Sequence, residues 1–172
     1  MTKAKVILTS IVLSLLISGE ALAQKEKFQS MFIYNFSRYI KWPDGMNSGE
    51  FVIGIIGSDA KLHASLVELS SNKRSINGDP IVIKQFKSVE EIENCHILYV
   101  TSGKLSSLSQ ISNSTKSKST LLITDSPGMA KKGSTINFVE KNGKINFELN
   151  QDNASGRNLK VSGSLSSLAI LV

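Results

Sequence analysis

Cysteine, histidine, tryptophan and proline are scarce in this 172-residue chain, which has one cysteine, two histidines, one tryptophan and three prolines. With Cys95 alone, no disulfide can form within the chain. His63 and His96 lack metal-ligand spacing, so no metal site is expected. No phosphate-binding glycine loop, dinucleotide fingerprint or nucleophile elbow occurs either. These absences argue against an enzyme, and no catalytic residue and no cofactor are predicted.

Long apolar runs are also missing, except near the start of the chain. Lys3 and Lys5 precede an apolar run from Val6 to Ile17, and Ala21-Leu22-Ala23 follows it. This is the pattern of a secretory signal peptide, and the run is short for a membrane span. We therefore expect residues 1–23 to be cleaved after Ala23, leaving one exported domain over residues 24–172.

Strong clustering of charge is absent as well. The formal net charge is +6, but the basic residues are spread along the chain rather than gathered into one patch. We therefore interpret them mainly as solvated surface, and nucleic acid is not an expected partner of an exported protein.

Aromatic residues, in contrast, are concentrated between Phe28 and Pro43. This stretch holds six of the eleven aromatic residues of the chain. The spacing of its apolar residues predicts a helix that ends near Trp42, before Pro43. The expected apolar face of this helix consists of Phe28, Met31, Phe32, Phe36, Tyr39 and Ile40. Two interpretations remain open: a buried apolar face, or a helix whose tyrosines and Trp42 partly face a ligand or partner.

After Pro43, short apolar strands alternate with helical patterns. The predicted strands begin at Phe51, Ile81, Cys95 and Thr120, and helices are expected after Asp59, Ser88 and Ser102. This alternation predicts a single three-layer α/β domain with a mainly parallel sheet and helices on both faces. The first residue of the third strand, Cys95, is either a small core hydrophobe or a redox-active thiol.

The pattern changes near the end of the chain. Asn142-Gly143 lies between two INF triplets and predicts a C-terminal antiparallel hairpin. In that register Phe138 lies opposite Phe147, and Ile136 lies opposite Leu149. Beyond the hairpin, the spacing of Leu165, Leu168, Ala169 and Val172 predicts a small closing helix.

Polar residues follow three of the predicted parallel strands at their carboxyl ends. They are Ser58 with Asp59, Ser102, and Asp125 with Ser126. Open α/β sheets bind ligands at this edge, where backbone N–H groups suit a carboxylate or a phosphate. They could equally be ordinary helix caps and turns.

The segments YNFSRYIKWP, INGDPIVI, CHILYV, DSPGMAKKGSTINFV and GKINFELN, in this order, resemble the YfiR family of periplasmic regulators (YfiR/HmsC-like). The resemblance covers residues 28–172. Positions shared with the family include Tyr34, Asn35, Trp42, Asp125 and Asn137. Several members carry further cysteines that can pair, whereas this chain has only Cys95, so the resemblance does not extend to disulfide switching.

The resemblance implies a periplasmic, non-enzymatic regulator that binds and restrains the periplasmic part of an inner-membrane signalling protein, either a diguanylate cyclase that makes cyclic di-GMP or a histidine kinase. It also implies a homodimer. On this interpretation Tyr34, Asn35, Tyr39, Trp42 and Asn137 are candidate contacts. The alternative is a periplasmic small-molecule binding protein that holds a carboxylate or phosphate at the strand edge through Ser58, Asp59, Ser102, Asp125 and Ser126.

Overall fold

The computed structural model describes residues 25–46 and 49–172. The predicted signal peptide, residues 1–23, lies outside the described residues. The helices are α1 (residues 25–39), α2 (Ala60–Asn72), α3 (Leu108–Lys116), α4 (Gln151–Ser155) and α5 (Gly163–Leu168). The strands are β1 (Ile40–Lys41), β2 (Phe51–Ile56), β3 (Ile81–Phe86), β4 (Ile97–Val100), β5 (Leu121–Thr124), β6 (Ile136–Lys141), β7 (Lys144–Leu149), β8 (Lys160–Val161) and β9 (Ile170–Leu171).

Seven strands form one sheet in the order β3-β2-β4-β5-β6-β7-β9. All neighbouring pairs from β3 to β6 are parallel, β6 and β7 are antiparallel, and β9 adds in parallel to β7. A separate antiparallel pair joins β1 to β8. This architecture confirms the predicted α/β class with its mainly parallel sheet and C-terminal hairpin.

Buried side chains form two clusters, one on each face of the sheet. The larger one joins α1 and α2 to the sheet, through residues such as Ile33, Phe36, Leu62 and Leu66. The smaller one, which includes Ile111 of α3, covers the opposite face. The sheet is therefore the middle of three layers, and its central strands are apolar on both faces because both are covered.

The hairpin has the predicted register, with Phe138 opposite Phe147 and Ile136 opposite Leu149. Asn142 and Gly143 both have positive φ, 54° and 68°, as a type I′ turn requires. Both phenylalanine rings pack against Phe36 of α1, with centroid distances of 6.0 and 5.2 Å. The hairpin thus builds the part of the core on which α1 rests.

The prediction of a helix after Ser88 is wrong, because residues 87–91 form bends and a turn and residues 92–95 have no regular secondary structure. The Glu91 side chain accepts a hydrogen bond from the Lys87 backbone N–H, and the Ile92 N–H bonds to the Val89 carbonyl. The chain then continues without regular structure to β4, which begins at Ile97, so the connection contains one turn and no helix. The sequence pattern that predicted a helix cap at Ser88 therefore stabilises a turn in the structure.

The prediction of a closing helix is only partly correct. Residues 163–168 form α5, capped by the Ser162 hydroxyl, which accepts from the Leu165 N–H. The chain then extends, and Ile170 and Leu171 pair with Glu148 and Leu149 of β7. The free edge of β7 supplies hydrogen-bonding partners that a longer helix would have left unused.

Candidate functional site

Asp125 lies at the carboxyl edge of the parallel strands, directly after β5, and is held there by α1. Its Oδ2 accepts from Lys25 Nζ at 3.1 Å and from Gln29 Nε2 at 3.5 Å. The buried hydroxyl of Tyr99 interacts with Asp125 and Gln29, and burial together with the neighbouring carboxylate raises the pKa of Tyr99. The start of α1 therefore covers the part of the strand edge at Asp125.

Asn137, the β6 residue in register with Thr124 at the end of β5, is fully buried and fixes the turn that follows β5. Its Oδ1 accepts from the Thr124 hydroxyl at 2.8 Å and from the Ser126 N–H at 3.1 Å. Its Nδ2 donates to Glu148 Oε2 at 2.9 Å. The side-chain amide of Asn137 thus makes its hydrogen bonds inside the protein. Asn137 therefore positions the Ser126 backbone and is not a direct contact for a partner.

Ser58 lies in an open depression of about 570 Å³ at the carboxyl ends of β2 and β3. Gly57, Gln85, Lys87 and Lys104 complete its lining. Gly57 has a φ of +97°, and a side chain there would meet the Thr101 hydroxyl, so a glycine is required. Two lysines make this depression the basic part of the strand edge.

The other strand-edge candidates do not join one site. Asp59 is the N-cap of α2, and its carboxylate accepts from the Leu62 N–H at 3.0 Å. Ser102 is exposed at the start of a short 3-10 turn. The N-cap residue of that turn, Thr101, makes no side-chain capping bond. Asp125 is engaged by α1, as described. The predicted edge thus divides into a covered part at Asp125 and an open part at Ser58.

The aromatic stretch forms α1, but its buried face differs from the predicted one. The helix ends at residue 39 because Ile40 and Lys41 pair with β8. Its fully buried apolar residues are Ile33 and Phe36, whereas three residues of the expected apolar face are about half exposed. These three are Phe28 (46%), Met31 (50%) and Tyr39 (46%), and we call them the α1 stripe.

Tyr34 and Asn35 are half-buried, and they lie on different sides of α1. The Tyr34 hydroxyl accepts from Arg38 at 3.2 Å, and Lys73, just after α2, lies 6.0 Å from the Tyr34 ring centroid. This side of α1 therefore faces α2. Phe32 lies on the other side and packs against Phe147 of β7 at 5.8 Å, so that side faces the β7–β9 end of the sheet.

Trp42 is buried in the core rather than exposed, which corrects its assignment as a surface contact. Its Nε1–H donates to the His96 carbonyl at 3.1 Å, and its ring meets Phe51 edge-on at 5.2 Å. A large aromatic residue in such a place stabilises the fold and is not available to a partner.

Cys95 is buried too, and its thiol is poorly suited to redox chemistry. Burial raises the pKa of Cys95 to about 12, against a smaller opposite effect of the Thr120 hydroxyl. The reactive thiolate is therefore scarce at neutral pH. These features support the interpretation of Cys95 as a small core residue.

A second group of exposed apolar residues lies at the end of the chain and was not expected from the sequence. Leu168, Leu171 and Val172 are 72%, 56% and 40% exposed, and we call them the C-terminal patch. Leu171 is in register with Leu149, whose side chain lies in the cluster under α1. Leu171 therefore lies on the same face of the sheet as α1, so this residue of the patch shares that side of the domain with the α1 stripe.

Neither a metal site nor a membrane span is found in the part of the chain that the structure describes. Over residues 25–46 and 49–172, no cluster of three or more histidine, cysteine or acidic side chains could hold a metal ion. Across those same residues, no helix is both long enough and apolar enough to cross a bilayer.

Together, the fold and these surfaces define a small three-layer α/β domain that presents apolar side chains on one side. The chain belongs to the YfiR/HmsC-like family, whose model matches residues 26–170. This is a family of periplasmic regulators, so membership supports a regulatory role in general.

Other comparisons bear on the fold alone. A comparison with curated proteins returned no match. Among solved structures, the chain is similar to one described as the ABC domain in complex with L-Trp from Streptococcus pneumonia, at 12% identity and a TM-score of 0.51. The match covers 70% of this chain and 54% of that chain, so this chain spans about half the length of that protein.

Proposed function

We propose that this chain docks on the periplasmic part of an inner-membrane signalling protein, a diguanylate cyclase or a sensor kinase, and restrains its output. The observation that carries the proposal is the set of exposed apolar side chains on the α1 side of the domain, namely the α1 stripe and Leu171 of the C-terminal patch. Monomeric proteins seldom leave several large apolar side chains exposed on one side unless that surface has a binding role.

The composition of this surface suits a protein contact. Aromatic residues and methionine are enriched in the centres of protein interfaces, and a few such side chains carry most of the binding energy. Phe28, Met31 and Tyr39 project from a helix whose other face is fixed by Ile33 and Phe36 in the core. A rigid backbone lowers the conformational entropy lost on binding.

Restraint also needs a difference in affinity between two states of the partner. A regulator that binds the partner's inactive state about 5 to 150 times more tightly than its active state shifts the equilibrium between those states by about 1 to 3 kcal/mol. Such a change requires no reactive group in this chain. The absence of catalytic motifs from the sequence is compatible with this role.

A double substitution, Met31→Ser with Tyr39→Ser, tests the proposal. The probe is the periplasmic domain of an inner-membrane diguanylate cyclase or sensor kinase from the same organism, and one encoded beside this chain's gene is the first choice. We expect at least about a tenfold loss of affinity, because two central apolar contacts are lost, and release of the partner's activity in cells. Unchanged affinity and unchanged signalling would contradict the proposal.

The matched control is Val67→Ser with Ile76→Ser. These two apolar side chains are similarly exposed, but Val67 lies on α2 and Ile76 in the turn before β3. We expect this variant to bind and signal as the wild type does. Equal losses in both variants would indicate a general effect of surface polarity and not a docking surface.

The basic depression supports a second candidate function, the binding of a small carboxylate or phosphate. Lys87 and Lys104 line it beside Ser58. A ligand that binds only the folded state raises its melting temperature. Screening small carboxylates and phosphates should therefore give a thermal shift that Lys87→Ala with Lys104→Ala removes, and no shift with any of them would exclude this function.

A further inference from the structure

The first six described residues of α1 are attached to the sheet differently from the rest of that helix, and we call residues 25–30 the α1 start. Phe28 is its only apolar residue and is about half exposed. The side chains that the α1 start buries are polar, namely those of Gln29 and Ser30. From Ile33 onward, the helix buries apolar residues instead. The α1 start therefore adds no buried apolar side chain to the core.

Polar contacts hold the α1 start on the carboxyl edge of the parallel strands, and they converge on Asp125. The Lys25 ammonium lies 3.1 Å from Asp125 Oδ2, and Gln29 Nε2 lies 3.5 Å from the same oxygen. The buried Tyr99 hydroxyl interacts with both Asp125 and Gln29. Asp125 is thus the residue that closes the α1 start on the sheet.

These contacts are individually weak. The Lys25 side chain is 44% exposed, and so exposed an ion pair contributes little because water competes for both charges. The contact from Gln29 is longer than a well-formed hydrogen bond. Detachment of the α1 start exposes mainly polar groups, such as the Asp125 carboxylate and the Tyr99 hydroxyl, which water can hydrogen-bond. Its free-energy cost is therefore much lower than that of unfolding the domain.

The rest of α1 cannot detach so easily. Ile33 and Phe36 are fully buried. Phe32 packs against both phenylalanine rings of the hairpin, with centroid distances of 6.0 and 5.8 Å. Exposing these side chains to water would lose a large area of apolar burial. Local opening of the helix is therefore confined to the α1 start.

We infer that the α1 start is a releasable lid that controls docking. Closed on Asp125, it holds Phe28 one helical turn from Met31 and completes the α1 stripe. Released, it withdraws Phe28 from the stripe and uncovers the strand edge at Tyr99. This inference rests on the proposed function and names how docking is regulated. A partner that contacts Phe28 binds the closed form more tightly than the released form, so release weakens docking.

The two sides of the α1 start connect the docking surface to the strand edge. Its outer side carries Phe28, and its inner side covers Asp125 through Lys25 and Gln29. A cation that replaced the Lys25 ammonium at Asp125 would favour the released form and lower the affinity for the partner. By thermodynamic reciprocity, the docked partner would lower the affinity of this edge for that cation.

The test changes the charge at the closing contact. Lys25→Glu places a second carboxylate beside Asp125 and should release the lid. The charge swap, Lys25→Glu with Asp125→Lys, forms an ion pair of the opposite polarity and should close it again. The control is Lys27→Glu, the same charge change at an exposed lysine of the α1 start. Glutamate near a helix N-terminus favours the helix itself, so opening in Lys25→Glu would come from the lost contact.

Two measurements are made on each variant. Amide hydrogen exchange at residues 29–31, whose N–H groups bond to carbonyls of the α1 start, reports the lid without any partner. We expect exchange there to be at least about tenfold faster in Lys25→Glu, with Phe36 unchanged. Affinity for the same periplasmic domain should fall at least about fivefold. The control and the charge swap should stay within about threefold of the wild type in both measurements.

Unchanged circular dichroism and melting temperature would show that the variants fold, and the comparison of Lys25→Glu with Lys27→Glu decides the question even if the charge swap does not fold. Equal exchange in those two variants would mean that the α1 start is not a lid, while the docking function stands. Faster exchange with unchanged affinity would overturn the control of docking by the lid.

The charge swap separates the lid from a direct contact. If the swapped variant folds but binds as weakly as Lys25→Glu, Lys25 itself contacts the partner and the inference is wrong. If the wild type does not bind the domain at all, the proposed function fails, and the role of the lid in docking fails with it. The exchange measurement still shows in that case whether the α1 start is released.

Discussion

The indole Nε1–H of Trp42 donates a hydrogen bond of 3.1 Å to the backbone carbonyl of His96. The same carbonyl accepts the Leu121 N–H at 2.8 Å. Trp42 follows β1, so this bond fixes the C-terminal end of α1 to the start of β4 and β5. The N-terminal end of α1 is fixed at the opposite edge, where Lys25 contacts Asp125. The α1 stripe is therefore presented by a helix anchored at both ends.

Replacing Trp42 by Phe should destabilise the fold. The variant removes the Nε1–H donor and part of the ring that packs against Phe51. We expect a loss of about 1–3 kcal/mol in the free energy of unfolding, from the lost hydrogen bond and the cavity. Urea denaturation measures it, and Tyr39→Phe, at an exposed position, is the control. A loss below about 0.5 kcal/mol would show that the anchor contributes little.

His96 should make stability depend on pH. Its Nδ1 accepts from the Val52 N–H at 3.0 Å, so Nε2 carries the proton and donates to the Met46 carbonyl at 2.6 Å. Burial lowers the pKa of His96, against smaller raising effects of the Met46 carbonyl and the Asp79 charge. The neutral ring suits both backbone partners, whereas the protonated ring would direct an N–H at the Val52 N–H.

The sign follows from linkage. At a pH above 6.5, the ordinary pKa of a histidine in the unfolded chain, His96 is neutral in both the folded and the unfolded states. Its contribution to the free energy of unfolding is then complete. As the pH falls from 6.5 toward the lowered pKa of the folded state, the unfolded chain binds more protons, so stability decreases. Urea unfolding between pH 7.5 and ~5 should show this decrease, and His96→Gln should reduce it. A nuclear magnetic resonance titration that gives His96 a pKa above 6.5 would contradict this.

Cys95 should resist thiol reagents in the folded protein. A pKa raised to about 12 lowers the thiolate fraction about a thousandfold relative to the ordinary value of 9.0. We expect no labelling by a disulfide reagent until urea unfolds the protein, and then rapid reaction of one thiol. Labelling of Cys95 under native conditions, or a change in partner binding after mild oxidation, would restore a redox role.

Arg157 should be essential for stability although no carboxylate among the described residues pairs with it. Its guanidinium donates to the Ser112 carbonyl and hydroxyl, the Thr115 hydroxyl and the Thr120 carbonyl. Burial lowers the pKa of Arg157 to about 10. Lysine cannot match the planar fork, so Arg157→Lys should cost about 2–3 kcal/mol, measured by urea denaturation.

The exposed Arg38 provides the control for this substitution. Its contact with the Tyr34 hydroxyl is solvent-exposed. We therefore expect Arg38→Lys to change the free energy of unfolding by less than about 0.5 kcal/mol. Equal effects at the two positions would mean that the buried hydrogen-bonding network is not what stabilises α3.

The fold class could be predicted from the sequence because local patterns and global structure agree in most of the chain. Asn142-Gly143 selects one hairpin turn, and that turn fixes which side chains share a face. Asp59 caps α2 because a carboxylate three residues before an N–H reaches it. In each case the interaction that decides the structure joins residues that are close together in the sequence.

The surfaces could not be predicted in the same way. Helical spacing put Phe28 on the apolar face of α1 and left out Ile33, although Phe28 is half exposed and Ile33 is fully buried. Spacing alone does not show which side of a helix faces the sheet. The hairpin decides this by contacting Phe36, more than 100 residues away in the chain. Likewise, the face on which Leu171 lies is decided by the pairing of β9 with the free edge of β7.

The central claim is that the α1 stripe and the C-terminal patch cover one partner, and hydrogen exchange of this chain with and without the partner's periplasmic domain tests it most directly. The account predicts slower exchange on binding in residues 25–39 and 168–172, and unchanged exchange in α2 and β3. Slower exchange confined to α2 and β3, or none in α1, would contradict it.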